Sequence, residues 1–219
     1  MHVLIVAATE KEIGSIRSQA EKSGNKNAKF EFLVSGVGIA ATTYAMTRKL
    51  KGGNFNMALN VGLAGTFREE IHLGEVVTVV SDQFADVGAE DGEKFLSVFD
   101  LELMDRDRFP FWNGKLKCDS FILENKFPSI QHLKKVKAIT VNTVHGHEKT
   151  IQRTRENFHP DVESMEGAAF HYVCMMEKIP SIQLRAISNR VERRNRPAWN
   201  IPLALNNLTD TTLHFLNQL

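Results

Sequence analysis

The chain has 219 residues, of which 42% are hydrophobic and 24% charged, and its basic and acidic residues nearly balance at a net charge of +1. This composition supports a full hydrophobic core and argues against a disordered chain, while the charge balance gives no footprint for nucleic acid or an anionic membrane surface. No apolar stretch approaches the ~20 residues of a membrane span, and two cysteines are too few for a disulfide framework. We expect a soluble cytoplasmic protein with one domain over residues 1–219.

The N-terminal segment predicts a buried strand followed by a helix. Val3–Ala7 is a continuous apolar run, which is typical of a strand covered on both faces of a sheet. Thr9 and Glu12 then have the spacing of a capping box, which opens a helix that we expect to run to about Ser23.

Two further strands end in polar or glycine-rich turns. A strand over 30–34 ends in Ser35–Gly38, and a helix over 39–50 follows. The next strand, over 57–61, ends in the glycine-rich segment Gly62–Thr66. Glycine-rich turns let backbone N–H groups approach a ligand closely.

The middle of the chain is less regular. A long strand is predicted over 75–84, followed by an acidic loop over 85–93 and an irregular insertion over 99–118. A strand over 135–144 and a polar helix over 147–156 come next. The insertion carries Phe111 and Trp112, which, together with Trp199 near the start of the last helix, are the aromatic candidates to cover a site.

The last third places polar residues at both ends of an apolar helix and strand. Glu163, Ser164 and Glu166 precede the apolar run, and Ser188 and Asn189 follow it, before a final helix from about residue 201. Strands that alternate with helices predict a mostly parallel sheet, whose strand-end turns gather along one edge, where α/β proteins bind ligands.

The residues alone leave the chemistry of that edge open. Pattern favours helix capping for both Glu12 and Glu166 over catalysis. Gly36-Val37-Gly38 lacks the third glycine and the later acidic residue of a dinucleotide fingerprint, and neither a Walker loop nor a Gly-x-Ser-x-Gly elbow occurs. The histidines show no zinc-ligand spacing, so we expect neither metal nor cofactor.

Five motifs in order resemble one superfamily. VAATEKEI, SGVGIAAT, NVGLAG, VESMEGAAF and LRAISN are similar to segments of the nucleoside phosphorylase and nucleosidase superfamily, and the similarity covers nearly the whole chain. Within it, the hydrolases of methylthioadenosine and S-adenosylhomocysteine and the futalosine hydrolases of menaquinone biosynthesis are nearest. The resemblance implies an α/β fold, a three-layer αβα sandwich with a central mixed, mostly parallel sheet. It also implies a homodimer.

The resemblance assigns roles to matching positions. Glu12 matches the glutamate that activates water, Glu166 the glutamate that holds the ribose hydroxyls, and Met165 a residue beside the sugar. AATEKE offers no arginine for phosphate, which favours water as the nucleophile. VESMEG has one residue more between its first Glu and its Met than the VEME of many relatives, so the resemblance assigns no role to Glu163. The residues predicted to contact the substrate are Ala8, Val37, Gly38, Gly65, Thr143, Ser164, Met165, Glu166 and Ser188.

Asn189 stands where the methylthioadenosine enzymes carry an aspartate that is taken to protonate N7 of adenine. An asparagine has no titratable proton, but its amide can donate to O6 of a 6-oxopurine and accept from N7–H. A site built for one pattern leaves buried groups unpaired with the other, at about 1–3 kcal/mol each. This position therefore favours a hypoxanthine-bearing nucleoside.

The sequence thus predicts a nucleosidase that hydrolyses futalosine to hypoxanthine and dehypoxanthine futalosine, with Glu12 and Asn189 as catalytic residues. The partner is a small purine nucleoside. A methylthioadenosine/S-adenosylhomocysteine nucleosidase, a purine nucleoside phosphorylase and a catalytically idle nucleoside-binding protein stay as alternatives.

Overall fold

Strands and helices alternate along the computed structural model, which describes residues 1–25, 27–118 and 127–219. The strands are β1 (His2–Ala7), β2 (Lys29–Val34), β3 (Met57–Thr66), β4 (Val76–Asp82), β5 (Gly88–Asp91), β6 (Lys94–Ser97), β7 (Leu116–Lys117), β8 (Lys134–Thr140), β9 (Val162–Ser164) and β10 (Ser181–Arg190). The helices are α1 (Glu10–Ser23), α2 (Ile39–Lys51), α3 (Pro128–Gln131), α4 (Glu148–Phe158), α5 (Gly167–Met176) and α6 (Ile201–Leu216), with a 3-10 turn at Arg196–Ala198. Of the helices in these ranges, none is long and apolar enough to cross a membrane.

The main sheet is mixed, and the prediction of a mostly parallel sheet is confirmed. Parallel pairs join β1 to β2, β1 to β3, β3 to β10, β4 to β8 and β8 to β9. Antiparallel pairs join β10 to β4, β3 to β9 and β4 to β7. The α/β class expected from the alternation of strands and helices is therefore correct.

The predicted three-layer sandwich is wrong at the centre, because the sheet closes on itself. One edge of β3 pairs first with β1 and then with β9, while its other edge pairs with β10. The path β3–β10–β4–β8–β9 then returns to β3 and forms a barrel-like core, from which β1 and β2 extend. Closure needs long strands, and β3 and β10 each have 10 residues.

The segment Gly62–Thr66, predicted as a turn, is the second half of β3. Its glycines serve close packing inside the barrel instead of chain reversal. A Cβ on Gly62 would lie 2.3 Å from Nη1 of Arg185, and one on Gly65 would lie 3.0 Å from Nδ2 of Asn189. The spacing of glycines alone does not distinguish these two uses.

The acidic loop predicted over residues 85–93 is also wrong in part. Residues 88–97 form a small antiparallel hairpin of β5 and β6, which turns at Gly92 with a φ of 61°. The insertion over residues 99–118 is mostly turns, as predicted, except that β7 pairs with the end of β4.

Helices cover the sheet on two sides. Ile13 and Ile16 of α1 pack with Leu208 and Phe215 of α6 against the strands. On another side, α2 and α5 bury an apolar cluster that includes Phe170. This packing fixes α1, α2 and α5 so that each begins beside the carboxyl end of a strand, where the site residues lie.

Candidate active site

A cavity of about 630 Å³ opens where β1, β2, β3, β9 and β10 end. Most of the predicted site residues line it: Ala8, Glu12, Val37, Gly65, Ser164, Met165, Glu166, Ser188 and Asn189. They come from five separate parts of the chain, which the sheet brings together at one edge.

Two predicted contact residues lie outside the lining of the cavity. Thr143 is exposed, and its neighbour Val144 lines the cavity instead. Gly38, with a φ of 90°, begins α2 and donates its backbone N–H to Oε1 of Glu166 at 3.1 Å. Gly38 thus contacts a site carboxylate.

Both oxygens of Glu12 are held in place. Oε2 accepts from the backbone N–H and the hydroxyl of Thr9, at 3.0 and 2.8 Å, which is the capping arrangement at the start of α1. Oε1 accepts from the backbone N–H of Leu63 in β3 at 3.0 Å. The carboxylate has about four acceptor positions, so it can still accept a proton from a molecule in the cavity.

Glu166 is buried and faces the sheet edge instead of its own helix. It stands immediately before α5, and its side chain makes no capping hydrogen bond to the residues of that helix, all of which the structure describes. Oε1 is bound by Gly38, and Oε2 lies 3.8 Å from Nη1 of Arg185. Burial raises the pKa of Glu166, and the nearby carboxylate of Glu12 adds to that rise, while Arg185 and the Gly38 N–H lower it.

Arg185 is the buried cation of this region, with 1% of its surface exposed. Its guanidinium donates to Oδ1 of Asn60 at 2.6 Å and to Oε1 of Gln183 at 2.9 Å. The motif LRAISN contains this arginine, but its functional meaning was missed. An arginine between Leu184 and Ala186 in a predicted buried strand is the signal, because a buried charge requires partners.

The network continues to a buried carboxyl. Nε2 of Gln183 donates to Oδ2 of Asp82 at 3.0 Å, and the hydroxyl of Thr140 donates to Oδ1 at 2.9 Å. Burial raises the pKa of Asp82 to about 6, although these hydrogen bonds and the charge of Arg185 lower it.

Asn189 of β10 is paired with Gly65 of β3. A register shift between Ile187 and Asn189 leaves Ser188 out of the pairing. Its Oδ1 accepts from the Ser188 hydroxyl at 2.8 Å, and its Nδ2 donates to the carbonyl of Arg190 at 2.8 Å. An amide has two donor protons and two oxygen lone pairs. One donor and one acceptor therefore remain for the polar edge of a heterocycle in the cavity.

Among the lining residues, His145 and Glu163 were not predicted as site residues from the sequence, whereas Trp199 is one of the three aromatic candidates. His145 and Glu163 line one wall and contact each other, and Trp199 lines the mouth beneath the guanidinium of Arg194, 5.3 Å from the ring centre. The other aromatic candidates lie elsewhere. Phe111 packs with Phe84, Phe99 and Tyr172, while Trp112 is exposed against Lys117.

The site thus combines a fixed carboxylate, a buried second carboxylate beside a cation, and an amide with one free donor and one free acceptor. Such a set can accept a proton from water, bind hydroxyl groups and pair with a polar heterocycle. Among the residues described, no group of three or more His, Cys, Asp or Glu side chains is placed to hold a metal ion.

Comparison with known proteins gives matches over nearly the whole chain. A family model described as the phosphorylase superfamily matches residues 4–217. The futalosine hydrolase of Streptomyces coelicolor is 28% identical over 96% of this chain and 93% of that protein. The 5′-methylthioadenosine/S-adenosylhomocysteine nucleosidase of Psychromonas ingrahamii is 23% identical over 100% of both. The solved structure of futalosine hydrolase from Helicobacter pylori has the same fold, with a TM-score of 0.81, 16% identity and coverage of 100% of this chain and 98% of that one.

The raised pKa of Asp82 predicts a pH dependence of stability. The unfolded chain ionises Asp82 near 3.8, whereas the folded protein keeps the proton until about pH 6. The unfolded state therefore binds fewer protons in this window, and the contribution of Asp82 to the free energy of unfolding falls as pH rises from about 4 to 6. Urea denaturation across this range should show that the free energy of unfolding of the wild type falls relative to that of Asp82→Asn. The exposed Asp210→Asn variant is the control, and parallel curves for wild type and Asp82→Asn would contradict the prediction.

Proposed function

We propose that this chain, which belongs to the phosphorylase superfamily, is a nucleosidase that hydrolyses the N-ribosidic bond of futalosine to hypoxanthine and dehypoxanthine futalosine. The observation that carries the proposal is the lining of one cavity by Glu12, Glu166 and Asn189. These three side chains supply a proton acceptor, an acceptor for sugar hydroxyls and a partner for a purine edge.

In the proposed reaction the bond between C1′ and the base lengthens toward an oxocarbenium-like sugar. Glu12 takes a proton from the water that attacks C1′, a form of assistance typically worth ~10²–10⁴-fold in rate. Its two hydrogen-bonded oxygens support this role, because the carboxylate is oriented before the substrate enters.

Glu166 is proposed to bind the 2′- and 3′-hydroxyls, with Met165 beside the sugar. Hydroxyl groups can donate to the buried carboxylate, whose charge is balanced by Arg185 at 3.8 Å. Asn189 stabilises the departing base through its free N–H and its free lone pair.

Water is favoured over phosphate as the nucleophile by the charges of the site. Four glutamates line the cavity, namely Glu12, Glu163, Glu166 and Glu192, and a phosphate ion beside Glu12 and Glu166 would be repelled. Of the basic lining residues, Arg190 donates to the carbonyls of Arg68 and Glu69, and Arg194 lies over the ring of Trp199. The buried cation Arg185 already binds Asn60 and Gln183 and lies close to Glu166, so it offers little to an incoming anion.

A methylthioadenosine/S-adenosylhomocysteine nucleosidase is the second candidate, because a protein of that name aligns along the full chain. Asn189 in place of an acid favours the 6-oxopurine. Incubation with futalosine, aminofutalosine, methylthioadenosine and inosine, with and without phosphate, tests both candidates. We expect hypoxanthine release from futalosine independently of phosphate. Predominant adenine release would favour the second candidate, and phosphate-dependent turnover would indicate a phosphorylase.

Glu12→Gln should lower turnover of futalosine by about 10²-fold or more, because an amide cannot take the proton from water. Hypoxanthine should still bind, since the amide fills the same space. Steady-state kinetics and calorimetric titration measure the two effects. Glu10→Gln, on the same helical turn and paired with Arg17 at 2.7 Å, is the matched control. Unchanged turnover in Glu12→Gln would remove Glu12 as the base.

Asn189→Asp should shift preference from futalosine toward aminofutalosine or methylthioadenosine. A protonated carboxyl can donate to N7 and accept from the 6-amino group, whereas an ionised carboxylate only accepts and leaves O6 of a 6-oxopurine unpaired, at about 1–3 kcal/mol. The ratio of kcat/KM values for futalosine and aminofutalosine measures the shift. Asn195→Asp, in the following loop, is the control. An unchanged ratio would show that position 189 does not read the base.

A further inference from the structure

Three residues on neighbouring strands form a slot at the sheet edge. Gly65 of β3 is in register with Glu163 of β9 on one side and with Asn189 of β10 on the other. Directly paired residues project from the same face of a sheet, and neighbouring strands lie about 4.8 Å apart. Glu163 and Asn189 therefore stand on opposite sides of Gly65, and all three residues line the cavity. The absence of a side chain at Gly65 leaves room for the amide of Asn189, because a Cβ there would lie 3.0 Å from Nδ2.

The carboxylate of Glu163 is bound by His145. The residue is only 4% exposed. Oε1 accepts from the backbone N–H of His145 at 3.0 Å, and Oε2 contacts Nδ1 of the same residue. A buried carboxylate needs such partners, and both oxygens of this one are occupied within the wall of the cavity.

Glu163 and Glu166 therefore have separate tasks, although only two residues lie between them. Glu166 faces Gly38 and Arg185, on the side of the cavity where the sugar hydroxyls are proposed to bind. Glu163 faces His145 instead. The additional residue in VESMEG thus coincides with two carboxylates that point to different partners.

His145 is held from two sides. Its Nδ1 contacts Glu163, and its Nε2 lies 2.9 Å from the hydroxyl of Thr154 in α4. Rotation of the ring would break both contacts. Since Val144, His145 and Gly146 all line the cavity, the position of this ring fixes the wall on the Glu163 side of the slot.

We propose that Glu163 is a positioning residue that acts through His145 to hold residues 144–146 as the wall of the base-binding slot that faces Asn189. The inference rests on the proposed function, because it takes the purine base to lie between that wall and Asn189. It gives Glu163 and His145 a part in base binding and none in the proton transfer.

A double-mutant cycle tests the proposal with Glu163→Gln, His145→Ala and the double variant. Hypoxanthine is the probe for binding by calorimetry, and futalosine is the probe for kcat and KM. Glu163→Gln should weaken hypoxanthine binding and raise KM about tenfold, the effect expected for one buried hydrogen-bonding group left unpaired. The kcat value should change by less than about threefold, because the chemical step is not touched.

The double variant should bind hypoxanthine no more weakly than His145→Ala alone, because both changes break the same contact. Additive losses would overturn the proposal, and so would a fall in kcat at constant KM. Glu177→Gln, an exposed glutamate just after α5, is the control for loss of a carboxylate.

A second variant and one possible wild-type result separate the role of Glu163 from folding defects and from the proposed function. If Glu163→Gln does not fold, Thr154→Val removes the other contact of His145, and an unchanged KM and hypoxanthine affinity in that variant would overturn the proposal. If the wild type binds hypoxanthine but hydrolyses no nucleoside, the proposed function fails while the binding cycle still decides the role of Glu163.

Discussion

The buried guanidinium of Arg185 is the group around which the site is built. Removing an arginine from water is costly unless each N–H finds an acceptor and the charge finds a partner. Arg185 meets this condition because β3 and β10 are adjacent: Asn60 of β3 is paired with Gln183 of β10, and the side-chain oxygens of both accept from Nη2 of Arg185. The pairing of β3 with β10, which closes the sheet, is therefore also what allows this charge to be buried. Glu166 is the carboxylate that balances the charge of Arg185.

Small residues around this cation follow from the same constraint. Gly62 leaves room for the guanidinium, since a Cβ there would come within 2.3 Å of Nη1. Gly167 begins α5 against the next members of the network, and a Cβ there would lie 2.2 Å from both Asp82 and Gln183. The polar network therefore determines how closely α5 approaches the sheet, and with it the place of Glu166 at the start of that helix.

The sequence predicts local structure well here because local structure has local causes. The apolar run of β1 and the capping pair of Thr9 and Glu12 are both found as predicted. The closure of the barrel could not be predicted, since it depends on β3 pairing along both edges, and strand pairing over long separations leaves no periodic signal. For the same reason the sequence predicts a turn at Gly62. The structure requires a glycine there because of the side chain of Arg185, more than a hundred residues later. His145 could not be predicted, because it lies in the loop after β8 and its partner Glu163 stands 18 residues later, in β9.

The capping arrangement of Glu12 has a consequence for the entropy of ligand binding. A free glutamate side chain has several rotamers, and fixing it costs up to about 1.5–2 kcal/mol. Here Thr9 and Leu63 select one rotamer when the helix and the strand form. The loss of side-chain entropy at Glu12 therefore occurs during folding and not during ligand binding. A molecule entering the cavity meets a carboxylate that has no torsional freedom left to lose.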